Sequence, residues 1–157
     1  MHKRAHRQVA GLDFRTSTLI WARFCDDPLK AFQNLPNLVE LVLGMESYNR
    51  EQLQIRKGGF PKLMMLWLID LSELNSLDID KEVLPFLKKL SIKRCPQLEE
   101  VPFGIQHLRN LKELSFADMP REFEKSLDLE QGSHYWIIEH VPLNLTLSQG
   151  SQRFFWL

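Results

Sequence analysis

Few side chains in this 157-residue chain combine the types and spacing that chemistry demands. His134, Glu139 and His140 come nearest to an acid-base or metal-ligating group, but the two imidazoles stand six residues apart, a spacing that fits no metal motif. Cys95 shares no local signature with a cysteine nucleophile. Cys25 sits beside Asp26 and Asp27, whose negative charge raises a thiol pKa and weakens the nucleophile. Lys57-Gly58-Gly59 holds residues a phosphate cradle uses in the wrong order, since that cradle needs a glycine-rich turn ending Gly-Lys-Ser/Thr. The run reads instead as a tight turn with positive φ. No catalytic, metal or cofactor-binding residue is assigned, and the chain reads as a non-enzyme.

The elements that would position any site are set by a leucine spacing. Leu19, Leu43, Leu68, Ile92 and Phe116 follow one another at 24, 25, 24 and 24 residues. Each of the last four closes the same frame: Leu35-Leu38-Leu41-Leu43, Phe60-Leu63-Leu66-Leu68, Leu84-Leu87-Leu90-Ile92 and Leu108-Leu111-Leu114-Phe116. A period in the twenties around LxxLxL marks a leucine-rich repeat, in which each unit supplies one strand and one return segment. No unit can bury its own apolar face, so the units stack into one core. The expected fold is α/β: a right-handed, curved leucine-rich-repeat solenoid of about five repeats, with a parallel β-sheet on its concave face and a C-terminal cap.

Twenty Lys+Arg against 20 Asp+Glu give no bulk attraction to nucleic acid or to a membrane surface. The basic start, Lys3, Arg4 and Arg7, is followed by no apolar run and is not a secretory signal. Nothing approaches 18 consecutive apolar residues, so no spanning helix is expected. The lone pair Cys25 and Cys95 lacks the paired cysteine caps of secreted domains, which points to a cytoplasmic chain, membrane-associated or nuclear only through partners. The tripeptide Asn144-Leu145-Thr146 is a glycosylation sequon, a pattern common by chance.

Along the chain, residues 1–11 form an irregular basic segment. Repeats follow over 12–120, divided at about 12–34, 35–59, 60–83, 84–107 and 108–120; a cap covers 121–142 and a divergent tail 143–157. Phe14, Ser17 and Leu19 align with Leu38, Leu41 and Leu43, so the first unit is degenerate, with Ser17 in a core slot. Such an uncovered edge suits continuation upstream or association. The cleanest unit, Leu87 to Leu111, reads LKKLSIKRCPQLEEVPFGIQHLRNL. Its series of Cys95, Leu98, Val101-Pro102, Ile105 and Leu108 resembles the repeat of plant intracellular nucleotide-binding leucine-rich-repeat disease resistance proteins. The stretches GIQHLRNLKELSFADMPREF and HYWIIEHVP resemble the C-terminal end of the coiled-coil subclass of that family.

The resemblance implies a protein-interaction module of a plant immune receptor, truncated or partial. Such a module recognises a pathogen effector or a guarded host protein and keeps the receptor inactive until then. The family's upstream domain binds ADP or ATP; without a phosphate loop, this chain is expected to bind neither. Implied partners are an effector, a guarded protein or the receptor's own nucleotide-binding domain. A stand-alone repeat scaffold or adaptor without a defence role is the alternative; an enzyme would need converging titratable groups on the concave face, and none are found there.

If the leucines point inward, alternate strand residues face outward. Those expected on the binding face are Val42, Met65, Trp67, Ile69, Lys89, Lys93, Arg94, Glu113 and Asp118, beside Glu40, Gly44, Met45, Asp70, Ser91, Ser115 and Ala117. Trp67, between Met65 and Ile69, is expected to be exposed as an anchor. Lys89, Lys93 and Arg94 would pair with an acidic partner surface. Five strands about 4.8 Å apart and four residues wide project only about 260 Å², against the roughly 800 Å² per partner of a stable interface. The face therefore suits one end of a longer horseshoe.

Overall fold

The computed structural model describes residues 18–20, 28–44, 50–128, 130, 132–146 and 152–155. Its strands are β1 (Thr18–Ile20), β2 (Glu40–Gly44), β3 (Gln52–Ile55), β4 (Met65–Ile69), β5 (Ser76–Ile79), β6 (Lys89–Lys93), β7 (Glu113–Ala117), β8 (Leu143–Thr146) and β9 (Gln152–Phe155). The only described α-helices are α1 (Pro28–Phe32) and α2 (Arg121–Ser126). One sheet runs β1-β2-β4-β6-β7-β8-β9, parallel throughout except for the antiparallel last pair. The fold is a parallel-sheet solenoid of the leucine-rich-repeat kind.

Register explains the period. Leu41, Leu66, Leu90 and Leu114 lie opposite one another on successive strands, as do Leu43, Leu68, Ile92 and Phe116, and all are buried. Parallel strands sit about 4.8 Å apart, so each side chain packs on its own equivalent one repeat away. The first rung departs from the expected alignment. Leu19 pairs with Val42 rather than Leu43, while Thr18 and Ile20 stand opposite Leu41 and Leu43. A one-residue shift exchanges the two faces of a strand, so Thr18, not Ser17, takes the register slot of the inward Leu41. Phe14, Ser17, Cys25 and Met45 lie outside the described residues.

Two of the return segments make a second sheet. Strands β3 and β5 pair in parallel, with Leu53 opposite Leu77 and Ile55 opposite Ile79, all four buried. The next return is a 3₁₀ turn over Phe103–His107 that packs against β5. Gly104 permits this approach: a Cβ there would stand 2.4 Å from the Ile79 Cβ. Cys95, Leu98, Val101, Ile105 and Leu108, the residues that carry the resemblance, are all buried. Beyond β7, Phe123 of α2 meets Phe116 edge to face at 4.8 Å, and Ile137, Ile138 and Val141 are buried behind it.

Candidate protein-binding face

The outward residues of β2, β4, β6 and β7 form rows across the sheet. One row reads Glu40, Met65, Lys89, Glu113; the next Val42, Trp67, Ser91, Ser115; the third Gly44, Ile69, Lys93, Ala117. A fourth row follows at the strand ends, with Asp70, Arg94 and Asp118. All three have left-handed backbone, at φ 55°, 50° and 52°. The Asp70 N–H donates to the Lys93 carbonyl and the Arg94 N–H to the Ala117 carbonyl, both at 3.0 Å. The ladder therefore continues one bond past each strand while the chain turns away.

Structure brings Val42, Met65, Trp67, Ile69, Lys89 and Lys93 together on one face, all half-buried. Two expectations are corrected. Trp67 is not an open anchor, because the Lys89 and Lys93 ammoniums lie 4.7 and 5.7 Å from its ring centroid and its indole N–H is buried without a hydrogen-bond partner. Ser91 is not a surface hydroxyl: it is fully buried, and its Oγ has no partner either. The register supplies the reason. Trp67 stands opposite Ser91, and Lys89 and Lys93 flank Ser91 on the same face, so the large ring has a small side chain beside it and a lysine on either side of that serine.

The basic band is largely neutralised from within. Lys89 Nζ pairs with Glu113 at 3.1 Å. Arg94 makes a two-pronged pair with Asp70, Nε to Oδ1 at 2.5 Å and an Nη to Oδ2 at 3.0 Å, with Asp118 adding attraction from the other side. The Arg94 hydrogen bond holds the Asp70 carboxyl below its ordinary pKa, against a smaller opposing effect of burial. Among the described residues, Lys93 meets no carboxylate.

Residues weighed for chemistry are dispersed. Cys95 is buried, and desolvation pushes its thiol up to about 11, so it is protonated at neutral pH and inert as a nucleophile. His134 stacks edge to face on Phe103 at 5.3 Å, whereas His140 Nε2 lies 3.3 Å from the Leu108 carbonyl. Among the described residues no three His, Cys, Asp or Glu side chains are grouped to hold a metal. Gly58 has φ 86°, in the turn between β3 and β4. No described helix is long and apolar enough to cross a membrane.

Sequence reasoning missed the ion pairs between turns and the β3–β5 sheet, although both carry the period. Leu53 and Ile55 recur as Leu77 and Ile79, while Arg56 to Asp80, at 3.3 Å, spans the same 24 residues as Asp70 to Arg94. It also passed over Phe103 and Trp136, exposed neighbours 6.2 Å apart on the return side.

No family model matches the chain, and no solved structure does. Curated relatives do. The chain is 32% identical over 126 residues to "Disease resistance RPP8-like protein 3" of Arabidopsis thaliana, 78% of this chain and 14% of that protein. It is 30% identical over 124 residues to "Disease resistance protein RPP8" of the same plant, 79% and 14% respectively. To "Probable disease resistance protein RF45" it is 32% identical over 116 residues, 74% of this chain and 11% of that one. The resemblance carried by the repeat is thus matched by curated proteins, and the chain spans only 11% to 14% of their length.

Proposed function

We propose that this chain, related by sequence to a segment of the plant disease resistance proteins, is a protein-interaction module acting in plant defence. Its working surface is the sheet face around Trp67, with Val42, Met65, Ile69, Lys89 and Lys93, rimmed by Arg94, Glu113 and Asp118. The observation that carries the reading is the contrast between a regular buried floor and this irregular outward set: inward positions repeat leucine, while outward ones change from apolar to charged within two strands. A core needs the first, and a recognition surface uses the second. The proposed partners are a pathogen effector or guarded host protein and, in the resting state, the nucleotide-binding domain of the same receptor. The module itself binds no nucleotide and works in the cytoplasm.

Expression of the plant protein that carries this segment, followed by pathogen challenge, tests the reading. Trp67→Ala is expected to change defence output at unchanged protein accumulation, while Phe103→Ala on the return side leaves it as it was. Unchanged output with both variants would overturn the assignment of this face.

A further inference from the structure

The floor of this face holds an unusual concentration of unsatisfied donors. The buried side-chain nitrogen and oxygen atoms without a partner among the described residues are Trp67 Nε1, Ser91 Oγ and His134 Nδ1, and the first two are register partners on adjacent strands. An indole N–H can only donate, and a serine hydroxyl can donate as readily as accept. Above them stands Lys93, near the ring and without a carboxylate among the described residues; Lys89, on the other side, is shared with Glu113. Burying a polar group without a partner is costly, yet two occur side by side beneath a positive charge. Apart from Glu113, which is taken up by Lys89, the groups converging here offer hydrogens or positive charge, and the small neighbours Ser115 and Ala117 crowd the spot least on the β7 side.

We propose that Trp67, Ser91 and Lys93 form a carboxylate-receiving site for an Asp or Glu side chain on an acidic segment of a protein partner. The proposal rests on the sheet face being the binding surface and specifies what that surface recognises. Lys89 and Lys93 are partly exposed, and binding turns the Lys93 side chain from the ring toward the incoming group. The incoming carboxylate then accepts from the indole N–H and the serine hydroxyl while Lys93 neutralises it, a charge-assisted arrangement stronger than neutral hydrogen bonds. An acidic residue is favoured over a neutral amide because a carboxylate brings two accepting oxygens and a charge for Lys93 to neutralise, whereas an amide brings one accepting oxygen and no charge.

The full chain, labelled with ¹⁵N and methyl ¹³C, is titrated with a ten-residue peptide alternating Glu and Ser, and with its Gln-Ser counterpart, at constant ionic strength. The Trp67 indole resonance is assigned by its loss in Trp67→Phe, which keeps a ring over Ser91. Expected is a saturable downfield shift of that resonance with the Glu peptide alone, weakened at least fivefold by Lys93→Gln and reduced by Ser91→Ala. Three results would overturn the site: an indole resonance that stays fixed, one that moves equally with both peptides, or one insensitive to Lys93→Gln. If the Val42 and Ile69 methyls move while the indole does not, the carboxylate site falls and the sheet face stands as a binding surface. That surface itself falls only if Trp67→Ala leaves defence output unchanged.

Discussion

Two neighbouring rows of the sheet each carry one basic residue and end differently. In the row at the strand ends Arg94 closes on Asp70 through two hydrogen bonds, with Asp118 adding a weaker attraction. One residue earlier, Lys93 leaves an ammonium without an anionic partner among the described residues, and beside it Trp67 and Ser91, in the row before, leave an N–H and a hydroxyl unpaired. Lys93 and Arg94 are adjacent in sequence and equally basic. Only the register, which sets an aspartate beside one and an isoleucine beside the other, separates a structural clamp from a group free to bind.

The floor common to both rows gives the largest effect. Leu90→Ala is expected to cost about 2 to 5 kcal/mol in denaturant unfolding, because Leu90 is fully buried between Leu66 and Leu114 and its loss leaves a cavity. Gly104→Ala strains the return without touching either row, since its Cβ would collide with Ile79. It should lose about 1 to 3 kcal/mol of stability and keep the affinity for the acidic peptide. Arg94→Gln opens the clamp and should cost no more than about 1 kcal/mol at neutral pH, as both partners are partly exposed and screened by solvent.

That last cost depends on pH with a definite sign. The folded-state pKa of Asp70 is depressed, so its contribution is present above the ordinary value of 3.8 and is lost as pH falls through the folded value. Wild type and Arg94→Gln should therefore converge in stability in acid, as followed by unfolding between pH 6 and pH 2. Ser91→Ala gives the smallest effect. It removes an unpaired hydroxyl, so the midpoint of unfolding should stay within about 0.5 kcal/mol of wild type, while replacement of a paired buried group would cost more.

Much of the fold could be read directly, because the inward leucines obey one period and the strands that hold them share one register. Leu41 to Leu114 and Leu43 to Phe116 stack as the LxxLxL frame requires. The first rung could not be read as safely: Ser17-Thr18-Leu19-Ile20 offers apolar residues at two consecutive positions, and either alignment matches the pattern. The candidate face was legible in its membership and not in its pairing. Alternation placed Trp67, Lys89 and Lys93 on one side, but whether a side chain is open depends on its neighbour 24 residues away. Trp67 is half-covered because its register partner Ser91 is flanked by Lys89 and Lys93, whose ammoniums lie over the ring. The Arg94 pairing escaped for the same reason, since Asp70 lies one turn before it.

The most direct test of the contrast sets Lys93→Gln against Arg94→Gln in the protein expressed in a plant, with defence output after pathogen challenge and protein level read together. A lowered output for Lys93→Gln at normal accumulation, with Arg94→Gln unchanged, is the predicted result. Equal outputs for the two variants, or a loss confined to Arg94→Gln, would contradict the assignment of the open row as the one that binds.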